Sequence, residues 1–199
     1  MPVNLAVQAD VIDISGDNPL ASDIFLVDTN VWYWTAYSRA SLSQSYRSDY
    51  DLYLKKALAV GSRLYVSGLC QSELMHSIEK TERLLFSTTI SPKEFRHNHA
   101  PQRSAVVAEV ASAWGVVRNV AEVIDLRVDA AMTQRVITRF HTCAMDGYDL
   151  ISAEAMFEHG IPQVLTDDGD FVGVAGVHLF TANRNVLVAA QSQGKILVR

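Results

Sequence analysis

The sequence predicts an α/β fold with a mainly parallel central sheet, and three observations lead there. Short apolar runs without polar alternation recur along the chain, as strands covered on both faces require: Ile24, Phe25, Leu26 and Val27, then Leu64, Tyr65 and Val66, then Val164, Leu165 and Thr166. Between them lie stretches whose apolar residues return at helical spacing, so strands and helices alternate as in βαβ units. The 199 residues, 49% hydrophobic and 20% charged, suffice for one well-buried domain of ordinary globular composition.

In chain order, residues 1–22 are mixed and weakly patterned, with a turn signal at Gly16, Asp17, Asn18 and Pro19, and read as an N-terminal extension. The domain then occupies residues 23–199. The first strand stops at Asp28, and an apolar stretch over residues 31–37 predicts a helix. Tyr50, Leu54 and Leu58 mark another, stopped by Gly61. After the second strand, Ser67 stands as a helix cap before Leu69, Glu73, Leu74 and Ile78. Ser91, Pro92 and Glu94 spell a helix start, and Val106, Val110, Ala113, Trp114 and Val117 mark a longer helix. Residues of about 81–120 thus form an extra helical segment.

A strand is expected at residues 123–126, then an amphipathic helix with Val128, Met132, Val136 and Phe140 at four-residue steps. A helix over residues 147–159 is stopped by Gly160. The third apolar run enters Asp167, Asp168, Gly169 and Asp170, residues 177–180 form a further strand, and Asn183 caps a last helix. Residues 196–198 either add an edge strand or fray.

The net charge of −5 argues against a broad nonspecific nucleic-acid patch but leaves a nucleic-acid substrate open, because acids gathered around metal account for negative charge. No apolar run is long enough for a bilayer, and no basic-then-apolar leader opens the chain, so a cytoplasmic protein without membrane association is expected. Cys70 and Cys143 fit no ligand or redox spacing and read as ordinary thiols.

Four acids carry the chemistry. Asp28 and Asp168 each follow an apolar strand, where ligands of open α/β sheets bind. Glu73 lies about two helical turns past the second strand, and Asp149 stands in the first turn of its helix, where amides and dipole favour an anion. Gathered at one sheet edge, four carboxylates need a cation, and oxygen donors suit Mg²⁺. Such a centre activates water against phosphorus with one or two metals. Each acid also has a plain structural reading: Asp28 starts a turn, Glu73 is a solvated helix residue, Asp146 and Asp149 make a capping box, and residues 167–170 form a solvated turn.

Taken together, these stretches resemble the PIN-domain nucleases. The resemblance rests on Leu26, Val27, Asp28, Thr29, Asn30 and Val31; on Ser67 through Ser72, then Glu73 and Leu74; on Tyr148, Asp149, Leu150 and Ile151 into Ala155; and on Leu165, Thr166, Asp167, Asp168, Gly169, Asp170 and Phe171. It implies a three-layer α/β/α fold and Mg²⁺- or Mn²⁺-dependent hydrolysis of single-stranded or structured RNA. By motif position Asp28, Glu73, Asp149 and Asp168 are then the metal-binding catalytic acids. Asp170 is an auxiliary metal acid, with Thr29, Asn30 or Thr166 orienting the ligands. Asp167 stands where the family often has a basic or small residue, so either Asp167 or Asp168 supplies the last ligand. Bacterial members are often VapC-type toxins, silenced by an antitoxin and commonly homodimeric.

The middle of the chain, with Lys80, Arg83, Lys93, Arg96, His97, His99 and Arg103, is comparatively basic. It reads either as a guide for an RNA backbone, with Phe95 stacking a base, or as a solvated surface balanced by Glu79, Glu82 and Glu94. Arg135 and Arg139 are a second such pair, and Trp32, Tyr33 and Trp34 read first as core packing, with one ring able to stack a base if it faces the site. No Walker loop, dinucleotide fingerprint or zinc spacing is present. The rival readings are a noncatalytic PIN-like module that binds RNA or protein, and a metal-dependent phosphatase.

Overall fold

In the strand Ile24–Val27 (β2), Phe25 and Val27 enter one buried cluster while Leu26 enters the other, the period-two alternation of a strand covered on both sides. The computed structural model describes residues 4–40 and 47–199, so the first three residues of the expected extension lie outside it. Its other strands are Asp10–Asp13 (β1), Arg63–Ser67 (β3), Glu122–Ile124 (β4), Gln163–Leu165 (β5) and His178–Thr181 (β6). They form one six-stranded sheet in the order β1-β6-β5-β2-β3-β4, every pairing parallel.

Among the described residues eight α-helices cover this sheet. Thr29–Ala36 (α1), Arg47–Val60 (α2), Gly68–Phe86 (α3) and Ala100–Val120 (α5) pack with Phe25, Val66, Leu165 and Phe180 on one face. Gly147–Glu158 (α7) and Arg184–Ser192 (α8) pack with Leu26, Val164 and Leu179 on the other. Pro92–Asn98 (α4) lies against α3 and α5, and Ala130–Phe140 (α6) lies against α7. The result is the three-layer α/β/α arrangement expected.

Local signals account for most boundaries. Ser91 accepts from the Glu94 amide at the start of α4, Asp129 from Met132 at α6, and Asn183 from Asn185 and Val186 at α8. Gly61 and Gly160 follow α2 and α7 at φ 84° and 65°, the left-handed region that ends helices at little cost for glycine. Ser67 does sit at the cap position of α3, but its hydroxyl makes no capping bond.

Three placements differ from expectation. Residues 10–13, inside the segment read as an extension, form β1 against β6, from Asp10 with His178 to Asp13 with Thr181. Residues 196–198 add a single bridge, Val11 with Ile196, and no strand. Of the four-step series expected for α6, Val128 precedes the helix and is exposed, Phe140 at its end is exposed, and only Met132 is fully buried.

The strand order creates the place where a site belongs. From β2 the chain moves outward to β3 and β4, then returns to β5 on the opposite side of β2. Connections thus diverge at the carboxyl ends of β2 and β5, the crevice where open α/β sheets bind ligands.

Candidate active site

Asp28 follows β2 directly, caps α1 and stays half-buried at this crevice. Both of its oxygens are engaged. Oδ1 accepts from the Thr29 amide at 2.6 Å, while Oδ2 accepts from Asn30 Nδ2 at 2.7 Å and from the Thr166 hydroxyl at 2.5 Å. Thr166, fully buried after β5, also accepts from Asn30 Nδ2 at 3.1 Å and from the Asp168 amide at 2.9 Å. One hydroxyl therefore ties the ends of β2 and β5 together and fixes the turn carrying the last acids. The Thr29 hydroxyl donates to Glu73 Oε2, which locates the acid on α3.

Across the crevice, Asp146 is the N-cap of α7, its Oδ1 accepting from the amides of Tyr148 (2.8 Å) and Asp149 (3.0 Å). Asp149 in the first turn approaches the loop after β5. Ligand atoms of Asp149, Asp168 and Asp170 all lie within 4.8 Å of one another. The Asp170 amide donates to Asp168 Oδ1 at 2.9 Å, closing that loop on itself. Asp28, Glu73, Asp146, Asp149 and Asp168 line one cleft of about 800 Å³, whose other walls include Thr29, Asn30 and the α3 face.

All five expected acids thus reach one edge, but not as one knot. Asp149, Asp168 and Asp170 form the tight group, and Asp28 and Glu73 line the adjoining floor and wall. Asp167 is turned away: its Oδ1 accepts from the Tyr50 hydroxyl at 3.0 Å, and its carbonyl accepts from Asn183 Nδ2 at 2.6 Å. Asp168 therefore faces the other acids and Asp167 does not. Asp146 also belongs to the acidic wall, and its place three residues before Asp149 was readable only as a capping box.

The electrostatics follow from this crowding. Burial, then the charges of Asp28 and Asp168, push the Asp149 carboxyl up to about 8. Burial, with Glu73 and Asp168 adding repulsion, pushes Asp28 up to about 6 against the opposing bonds from Thr166 and Thr29. Glu73 and Asp170 are raised as well, both chiefly by burial. Hard oxygen donors that cannot all ionise without a cation fit a divalent ion such as Mg²⁺ or Mn²⁺.

The other sequence candidates separate clearly. Phe95 is fully buried and unavailable for stacking. Arg96 and Arg103 both turn to Glu79, and Arg83 donates to the Ile90 carbonyl. Arg135 and Arg139 grip the buried Glu154 of α7. His99 packs against Phe86. Trp32 is buried, whereas Tyr33 and Trp34 line the cleft. Of the basic middle segment, only Lys80 lines the cleft, joined there by Ser72 and His76 of the same helix, whose part the sequence did not signal. Cys70 and Cys143 are buried free thiols. Among the described residues no helix is long and apolar enough to cross a membrane.

A family model described as PIN domain matches residues 25–177. Curated protein sequences give no match. Similar solved structures include VapBC2 from Rickettsia felis bound to a DNA fragment from their promoter, at 15% identity and TM-score 0.49, covering 78% of this chain and 96% of that one. PAE2754 from Pyrobaculum aerophilum is similar at 16% identity and TM-score 0.44, covering 87% and 99%. FitAcB from Neisseria gonorrhoeae is similar at 16% identity and TM-score 0.43, covering 81% and 99%.

Proposed function

Because the chain belongs to the PIN domain family, we propose that it is a divalent-metal-dependent endoribonuclease that hydrolyses RNA phosphodiester bonds. The observation that carries the reading is the acidic cleft at the carboxyl ends of β2 and β5, with three ligand atoms within 4.8 Å of one another. Asp149, Asp168 and Asp170 would hold Mg²⁺ or Mn²⁺, with Asp28 and Glu73 completing the acid set from the floor and wall. When bound, the cation supplies charge neutralisation, a more acidic water and stabilisation of the leaving oxygen.

The chain's own residues do the rest. Thr166 and Asn30 hold the Asp28 carboxylate in one orientation, and Thr29 does the same for Glu73. Asp146 takes up the first amides of α7 and so fixes the helix turn that presents Asp149 to the cleft. Water attacks phosphorus in line, and its proton passes to a carboxylate of the cleft, through water where contact is not direct. The leaving oxygen departs on the opposite side. Pre-placement of these acids is the main service the fold provides.

A toxin role, with an antitoxin partner and a homodimer, belongs to the same proposal through the family resemblance. It is tested by growth arrest on expression and its relief by the product of an adjacent short reading frame. The chemistry itself is tested with a fluorescent mixed-sequence RNA and Mn²⁺, Mg²⁺ or EDTA. Wild type should cut only with metal, and Asp28→Asn and Asp149→Asn should lose about 100-fold or more in kcat/KM, a loss of several kcal/mol in transition-state stabilisation. Cutting in EDTA or by both variants defeats the proposal. Binding without cutting would favour the noncatalytic module, and faster turnover of a chromogenic monoester would favour the phosphatase.

A further inference from the structure

Beside the acidic cleft, α3, α4 and α5 enclose a second groove of about 680 Å³, the size of a small-molecule site. Two of its walls, α4 and α5, belong to the extra helical segment, which supplies no acid to the cleft. Along α5, Arg103, Val107, Ala111 and Gly115 line the groove in four-residue steps, with Trp114 beside them. At the helical rise this row runs about 18 Å, from a cation to bare backbone. Val107 is 53% exposed and Met75, contributed by α3, is 42% exposed, so the apolar lining faces solvent. At residue 115 nothing lies within 4 Å of the place a Cβ would take, so the far end is open too.

The two arginines of the lining are not equally engaged. Arg96 spends its guanidinium on one oxygen of the buried Glu79, with Nε at 2.7 Å and a terminal nitrogen at 2.6 Å from Oε1. Arg103 only approaches the other oxygen, at 3.9 Å, too far for a hydrogen bond. Among the described residues its guanidinium donates no hydrogen bond, although only 36% of the side chain is exposed. Two guanidiniums against one carboxylate leave the lining positive.

We propose that this groove binds a single-chain aliphatic carboxylate of the fatty-acid class, its head on Arg103 and its chain along Val107 and Ala111 to Gly115. The inference stands apart from the nuclease reading. The head group follows from the charge. An arginine fork offers two parallel bonds to a carboxylate, and the single excess positive charge matches one anion. The body follows from the walls. Beyond Arg103 the row carries no polar side chain, and its length suits an extended chain. Covering Val107 and Met75 removes apolar surface from water, which drives the binding.

Calorimetry of the full chain with decanoate, in EDTA and below the micelle-forming concentration, reads the groove with no metal in the acidic cleft. One decanoate should bind per chain. Acetate, which lacks the chain, and decyltrimethylammonium, which reverses the charge, should not saturate up to about 1 mM. Arg103→Ala should weaken decanoate about 10- to 100-fold, the loss of a charge-assisted pair, while Arg96 keeps Glu79 paired. Gly115→Leu fills the far end and should weaken decanoate about tenfold or more. Its melting temperature should be no lower than that of wild type, because leucine forms helix better than glycine and its Cβ meets nothing there. No saturable decanoate binding, equal affinity for decyltrimethylammonium, or unchanged affinity in both variants overturns the proposal. So does a dimer in sedimentation velocity that Gly115→Leu breaks and decanoate leaves intact, which assigns the groove to a second copy of the chain. Metal-dependent RNA cleavage by a chain that fails to bind decanoate overturns this inference alone and leaves the nuclease reading standing.

Discussion

Thr166 shows how much of the candidate site hangs on one hydroxyl. It donates to Asp28 and accepts from Asn30 and from the Asp168 amide, with no exposure to solvent. Thr166→Val preserves the shape but strands the Asp168 amide, so stability should fall by about 1–3 kcal/mol in urea denaturation. Mn²⁺ affinity measured by calorimetry should fall about 10- to 100-fold, because the positions of Asp28 and Asp168 relax. An unchanged affinity would show that the hydroxyl does not orient the acids.

Asp149 gives a pH signature of opposite sign to an ordinary paired carboxylate. Its folded-state value near 8, set first by burial and then by Asp28 and Asp168, lies above the unfolded value near 4. The folded chain therefore holds a proton that the unfolded chain releases, and metal-free stability should decline as pH rises from about 4 to about 8. Divalent metal should displace this proton, so the thermal shift on adding Mn²⁺ should grow between pH 5 and pH 8. Asp149→Asn should flatten the metal-free decline, and a slope as steep as that of wild type would refute the assignment.

At the scale of elements, α6 is fastened to α7 by polar bonds more than by its apolar stripe. Arg139 donates to Glu154 at 2.6 Å and lies over the Phe157 ring at 4.6 Å, while Arg135 reaches Glu154 and Glu158 at 3.1 Å. Arg139→Ala should destabilise the chain by about 1.5–3 kcal/mol, read by thermal melting, since a charge-assisted bond to a buried carboxylate is lost. RNA cleavage below the melting range should be unaffected, because α6 does not line the cleft. The sequence placed this helix from its four-step periodicity. It did not reveal that two of the four apolar positions stay in solvent, since periodicity reports which face is apolar and not how far it is covered.

For the whole molecule, Arg199 joins the last residue of the sequence to the connection between β1 and β2. Its guanidinium meets Asp17 Oδ2 at 2.6 Å and Asp23 Oδ1 at 2.7 Å, over the Phe180 ring at 4.6 Å. Burial alone would raise the Asp23 carboxyl, yet the bonds from Arg199, Leu20 and Gln163 hold it below its ordinary value. That stabilisation is present above the unfolded pKa and is lost as pH falls through the folded one. Arg199→Ala leaves two buried carboxylates without their cation and should cost about 3 kcal/mol. Its acid-unfolding midpoint should move to higher pH, and a midpoint at the wild-type pH would show that the cluster contributes nothing.

By itself the sequence determined the alternation of strands and helices, most helix ends, and the acids Asp28, Glu73, Asp149, Asp168 and Asp170 as one candidate set. Those signals are local: an apolar run, a cap, a left-handed glycine or an acid just past a strand acts within a few residues. The tertiary structure decided what depends on distant partners. Asp10–Asp13 is a strand because β6 offers an open edge to pair with, and its own four residues, acidic at both ends, carry too little apolar pattern to announce it. Asp168 faces the cleft and Asp167 does not because Tyr50 and Asn183, brought from α2 and the start of α8, hold residue 167 on the other side. Arg96 and Arg103 are turned from the acidic cleft towards Glu79, and Lys80 is left in that cleft, because helical phase and the packing of α3 on α4 and α5 choose which cations face the acids. Composition counts charges, but only packing decides which of them remain unspent.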